Sequence, residues 1–206
     1  MQATEYKEVI KVLDKEFESL NDNNPNAASV EFQIIAKKLF EEYQIAKGDV
    51  KYDFEEIEFY IYTEKHKDNK HVYPRVCEAG EWFVHYSGVD LTFKTLLEGN
   101  KITQCGGILV RRIKKDGVVS IGGPLRCLME LFNGQDAPLL VTKEKKEVKF
   151  EVTPRIGIKN NNVQDERKYR FAISSEPEIK TAFPQYTNDS IEIKEKKYKY
   201  YPLYVE

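Results

Sequence analysis

The stretch Glu56-Ile57-Glu58-Phe59-Tyr60 places a carboxylate and a phenol two residues apart. On one face of a strand, that spacing sets a general base beside an aromatic stacking platform. A solvent-facing strand edge carrying ordinary charge is the alternative. The three histidines, His66, His71 and His85, follow shortly after. With Cys77 they read His-x4-His-x5-Cys-x7-His, which contains no compact ligand pair, so no metal site is expected. In Ile108-Leu109-Val110-Arg111-Arg112 the two arginines should face opposite ways. One of them then points inward and needs an anionic partner or a ligand, and Glu58 is an available partner. In Thr153-Pro154-Arg155-Ile156-Gly157-Ile158, a glycine between two branched residues suggests close backbone approach to a ligand, or a bulge.

The elements that must position these groups follow from periodicity. Val9, Ile10, Leu13, Phe17 and Leu20 predict a helix from about Thr4 to Leu20, ended by the Asn21–Asn26 stretch. Ser29 can cap a second helix with Phe32, Ile35, Leu39 and Tyr43 on one face. After Lys47-Gly48-Asp49 the period becomes two: Ile57, Phe59 and Ile61 alternate with Glu56, Glu58, Tyr60 and Tyr62. A polar loop then runs from Thr63 to about Gly80. Further strands are expected at Trp82–Tyr86 (Phe83 and His85 on one face), Ile108–Ile113 and, past a turn at Lys115-Asp116-Gly117, Val118–Ile121. Pro124 opens a short helix with Leu125, Leu128, Met129 and Phe132 as its buried stripe. Leu139–Val141, Val148–Val152, Ile156–Ile158 and Tyr169–Ile173 complete the strands, and the Lys/Tyr-rich stretch Ile191–Val205 is an edge strand or a loose arm. The fold class is therefore α+β: N-terminal helices flanking a curved, mostly antiparallel sheet, an open barrel or roll.

With 206 residues the chain suits one domain, read as an N-terminal helix and linker (1–28), a core (29–175) and a C-terminal extension (176–206). Thirteen tyrosines and eleven phenylalanines argue against disorder of the whole chain. No apolar run spans a membrane, the N-terminus lacks a signal-peptide core, and three scattered cysteines suit reduced thiols, so a cytoplasmic protein is expected. Net charge is −2, yet the halves differ: residues 1–100 carry 12 Lys/Arg against 20 Asp/Glu, and residues 101–206 carry 20 against 14. A polyanion would thus meet the C-terminal half, although mixed charge serving solubility alone explains the same numbers.

Taken in chain order, the motifs resemble the alkyladenine (3-methyladenine) DNA glycosylase family. Glu56-Ile57-Glu58-Phe59-Tyr60 resembles its E-x-E-A-Y strand, and Gly80-Glu81-Trp82-Phe83-Val84-His85 its glycine and aromatic strand. Ile108-Leu109-Val110-Arg111-Arg112 resembles V-L-L-R-A, and Gly123-Pro124-Leu125-Arg126-Cys127-Leu128 its G-P helix start. Pro154-Arg155-Ile156-Gly157-Ile158 and Tyr169-Arg170-Phe171-Ala172 resemble the late P-R-I-G-I segment and R-F strand. The resemblance implies a methylpurine-glycosylase-like fold and a cofactor-free, metal-free hydrolase. Such an enzyme cleaves the N-glycosidic bond of an alkylated or deaminated purine flipped out of DNA. It implies Glu58 as the base that activates water, Arg111 as a holder of that water and of the backbone phosphate, and the carbonyl of Ile156 as the third side of the water site. Tyr60 and one of His66 or His71 would contact the base, with His71 preferred. His85 stands where the family has a second stacking tyrosine. The family's duplex-inserting tyrosine has its nearest counterparts in Ser87 and, one step before it, Tyr86. Damaged DNA would be the partner of a monomeric, intracellular protein that associates with the nucleoid. A non-catalytic nucleic-acid or nucleotide-binding protein on the same fold is the other reading.

Overall fold

The computed structural model describes residues 11–17, 20, 25–68, 70–160 and 163–174. They form a mixed α+β fold in which an antiparallel sheet curls into a half-barrel, accompanied by two helices. Helix α1 is Pro25–Glu42; strands β1 (Tyr43–Lys47) and β2 (Val50–Thr63) follow directly. Next come β3 (Trp82–His85), β4 (Gly88–Thr92), β5 (Leu96–Glu98), β6 (Lys101–Lys115) and β7 (Val119–Gly122). Helix α2 (Pro124–Phe132) precedes β8 (Leu139–Thr142), β9 (Phe150–Thr153), β10 (Lys159–Asn160), β11 (Val163–Gln164) and β12 (Arg170–Ile173). The main path of the sheet is β3-β4-β6-β2-β1-β8; β12 joins β2 to β9, and β5 and β7 pair with β6. No helix among the described residues is long and apolar enough to cross a membrane.

The long ribbon β2–β6 is the frame of the molecule, and its register carries an irregularity. Phe54 pairs with Ile113, Glu56 with Arg112 and Ile57 with Val110, so Glu55 on β2 and Arg111 on β6 are left without opposite residues. A bulge of this kind re-aims side chains and tightens local twist. Before it, Tyr52 and Phe54 are buried; after it, Ile57, Phe59 and Ile61 enter the core. Glu56, Glu58 and Tyr60 share the opposite side, as the alternation predicts. The expectation that Arg111 and Arg112 diverge is corrected here. Both guanidinium groups reach Glu56, Arg111 at 2.9 Å and Arg112 at 3.2 Å, because the bulge breaks the alternation between them.

The N-terminal expectation also needs correction. Of residues 11–17, Lys11 alone is helical; the chain then turns and extends, yet Leu13, Phe17 and Leu20 are all buried. Phe17 lies 4.8 Å from the Phe93 ring and donates its N–H to Gln104 Oε1 at 2.9 Å. An extended chain spreads its apolar side chains along the core farther than a helix can, and packing outweighs helical spacing. Residues 1–10 lie outside the described set, as does the proposed C-terminal arm. Ser29 is not a cap: α1 already starts at Pro25, and the Ser29 hydroxyl donates to the Lys168 carbonyl at 3.0 Å. Phe32, Ile35 and Leu39 are buried as expected, joined by Ala28, Ala36 and Phe40.

Helix α2 begins at Pro124 as its sequence requires, but a different stripe is buried. Cys127 and Leu131 face the core and Leu128 packs against it as expected, whereas Leu125, Met129 and Phe132 are exposed, Met129 at 72%. Gly123 precedes the helix at φ 100°, a backbone conformation that glycine adopts without a Cβ clash. Ile156–Ile158 is a turn rather than a strand: Gly157 adopts φ 75° with open space around it, so the glycine serves backbone conformation, not close approach.

Close approach occurs instead at Gly106 on β6. A Cβ there would sit 2.2 Å from the Tyr60 carbonyl oxygen. Gly106→Ala should therefore destabilise by about 1–3 kcal/mol, read as a lower denaturation midpoint in urea. An unchanged midpoint would show that β2 and β6 can separate at no cost.

Candidate functional site

The bulged ribbon delivers Glu58 and Arg111 to one place. Glu58 has 0% of its surface exposed, and three donors occupy its carboxylate. Ile156 N–H donates to Oε1 at 2.8 Å; the Tyr60 hydroxyl and Arg111 Nη1 donate to Oε2 at 2.8 and 3.0 Å. Arg111 also donates from Nε to Glu56 Oε1 at 2.9 Å, and Arg170 Nε donates to the same oxygen at 2.8 Å. Burial pushes the Glu56 carboxyl up, but Arg170 and then Arg111 outweigh it and hold it below the usual carboxylate range. Glu56 thus stays charged and fixes the Arg111 fork.

Beside this cluster opens a cavity of about 380 Å3, lined by Tyr60, His71, Tyr73, His85, Arg111 and Ile156 among others. That volume lies within the range of ligand pockets, roughly 300–1,000 Å3. Glu58 itself does not line it; Tyr60, Arg111 and Ile156 stand between the carboxylate and the cavity. Burial, and after it the Glu58 charge, pushes the Tyr60 phenol above its ordinary value. Ile156 meets Glu58 through its N–H, whereas the resemblance assigns its carbonyl to the site.

Of the two loop histidines, the structure brings His71 to the cavity and buries His66 against the Tyr169 ring at 5.7 Å. His85 lines the cavity but is tightly held: Nε2 is 3.1 Å from Asp90 Oδ1, and Nδ1 is 2.8 Å from Ser87 Oγ. The Phe83 and Tyr73 rings flank it at 5.9 and 4.9 Å, and 8% of its side chain remains open. Asp90 in turn accepts from Arg75 Nη1 at 2.8 Å, and that guanidinium lies 4.4 Å over Phe83. Ser87 is therefore tied into the cavity wall. Tyr86, beside it in the β3–β4 turn, is 82% exposed at the cavity rim. Thr92 is buried, its hydroxyl donating to the Glu78 and Glu81 carbonyls.

Residues that the sequence reading left without a role hold the site together. Arg155 is fully buried and bonds the Phe59 carbonyl at 3.1 Å, Asp68 through both oxygens at 2.6 and 3.0 Å, and Asp165 at 2.7 Å. Arg167 bridges the same two aspartates. The Arg155 guanidinium packs on the Tyr60 ring at 4.6 Å and on Tyr169 at 5.3 Å. One cation thus ties together β2, the loop leading to His71 and the turn bearing Ile156. The signal available was Arg155 beside Ile156 in Pro154-Arg155-Ile156-Gly157-Ile158; nothing in the spacing of Asp68 or Asp165 pointed to it. Tyr73, in the polar loop, had no periodic pattern to reveal it.

Chemically, the cavity offers aromatic and imidazole walls to a planar ligand, with a buried carboxylate behind them. No protein-family model matches this chain, and a search of curated proteins finds no match.

Proposed function

We propose that the protein is a monofunctional DNA glycosylase that hydrolyses the N-glycosidic bond of an alkylated or deaminated purine. The base is flipped from the helix into the cavity beside Glu58. What supports this reading is the gathering of Arg111, Tyr60, His71, His85 and Ile156 around one cavity, with the Glu58 carboxylate held directly behind Tyr60, Arg111 and Ile156. Tyr60, backed on one face by Arg155, presents its other face to a flipped base. Exposed Tyr86 at the rim is the side chain that would enter the duplex, and Ser87, bonded to His85, is not free to do so. Hydrolysis of a damaged purine needs an activated water and a stacked leaving group, and neither a metal nor a cofactor enters. The same reading makes damaged DNA the partner of a monomer that works where the chromosome lies.

Single-turnover incubation with oligonucleotides bearing hypoxanthine, ethenoadenine or methylated adenine tests it. Base release leaves an abasic site, read by alkaline strand cleavage. A folded protein that releases none of these bases from duplex or single strands overturns the assignment. A second reading, a nucleobase-binding protein without excision, is favoured by one observation: Glu58 is fully covered by three donors. Retained binding of the same oligonucleotides without base release would establish it.

A further inference from the structure

We propose that Tyr60 is a catalytic residue, the group that takes the proton from the attacking water and hands its own phenolic proton to Glu58. The inference rests on the glycosylase reading and deepens it. Glu58 has no exposed surface and does not line the cavity, while Tyr60, Arg111 and Ile156, which donate to its carboxylate, all do. The Ile156 amide does not give up its proton under these conditions, and the Arg111 guanidinium is not deprotonated in proteins. The phenol is the one donor of the three able to pass a proton on. Its hydroxyl already points at Oε2, at 2.8 Å, from a residue that lines the cavity. The Arg155 guanidinium lies 4.6 Å over that ring, and Arg111 donates to the same carboxylate oxygen; because burial beside the Glu58 carboxylate disfavours a phenolate, the two proton transfers are concerted and the ring carries no full charge.

The step balances as follows. A water O–H bond breaks and its proton goes to Tyr60 Oη while the phenolic proton goes to Glu58 Oε2. The water oxygen uses the freed pair to bond C1′ of the sugar. The C1′–N bond breaks, and its electron pair leaves with the purine, which is either already cationic or takes a proton from solvent. Glu58 returns its proton through Tyr60 after the product leaves.

The test compares wild type, Tyr60→Phe and Glu58→Gln in single-turnover excision of ethenoadenine. Oligonucleotide affinity is followed by the fluorescence of that base. Phenylalanine keeps the ring, its packing on Arg155 and a stacking face. The relay predicts that Tyr60→Phe lowers excision at least about 100-fold, approaching the Glu58→Gln loss, with affinity changed less than about threefold. Fluorotyrosine at position 60 should shift the pH dependence of excision with the acidity of the phenol, which a merely structural tyrosine would not do. If Tyr60→Phe excises at the wild-type rate or faster, Glu58 acts on water directly and the relay is wrong while the glycosylase reading stands. If folded wild type excises nothing, both fall together.

Discussion

Under the proposed glycosylase activity, Glu58→Gln is expected to lower single-turnover base excision about 1,000-fold, within the range that removal of a general base produces. Glutamine matches the shape of glutamate but cannot hold the proton that water must lose. The substitution is not silent for the fold, and the reason is local. The native carboxylate accepts from Ile156 N–H on one oxygen and from Tyr60 and Arg111 on the other. An amide nitrogen placed on either side meets a donor where an acceptor stood. With no solvent to relieve the conflict, the cost is about 1–3 kcal/mol. Thermal melting should therefore show a lower but cooperative transition, and oligonucleotide binding should persist. A variant that stays folded and still excises would remove Glu58 from the chemistry altogether.

The largest stability effect is expected from Arg155→Leu, about 3–5 kcal/mol, the range found when one partner of a buried ion pair is removed. Arg155 is fully buried, and its loss leaves Asp68 and Asp165 with Arg167 as their remaining cationic partner among the described residues. Leucine fills part of the volume but bonds neither aspartate nor the Phe59 carbonyl. The midpoint of urea unfolding at neutral pH reads the effect, and a change under about 1 kcal/mol would show that the aspartates relax toward solvent. Acid adds a second signature. Burial pushes the Asp165 carboxyl up, but Arg167 and Arg155 prevail and hold it well below its ordinary value. A carboxylate lowered in the folded state contributes stability that is complete above its unfolded value and is lost as pH falls toward its folded one. Wild type should lose stability steadily below about pH 4. Arg155→Leu should lose less over the same span, because Arg167 alone still bonds Asp165.

Local chemistry made the site's key strand legible. Alternation in Ile57-Glu58-Phe59-Tyr60-Ile61 is enough to put the carboxylate and the phenol on one side and the apolar residues in the core, because a strand's period is two wherever it lies. The Pro124 helix start and the Lys115-Asp116-Gly117 turn were equally readable, since proline and glycine restrict or free the backbone by their own covalent structure. Other features depended on contacts made far along the chain. The bulge that turns both Arg111 and Arg112 onto Glu56 exists because two long strands pair out of step, and neither strand alone records that register. Leu13, Phe17 and Leu20 lie at helical spacing yet lie buried along a chain that is turned and extended over residues 12–17, because the core offered them more contact than a short helix would. Arg155, Asp68 and Asp165 meet across 87 and 10 residues of sequence. Residue types and spacing therefore determined the strand and the turn. Folding decided that Glu58 would be sealed behind Tyr60, since burial and long-range hydrogen bonds are properties of the packed chain and not of any segment of it.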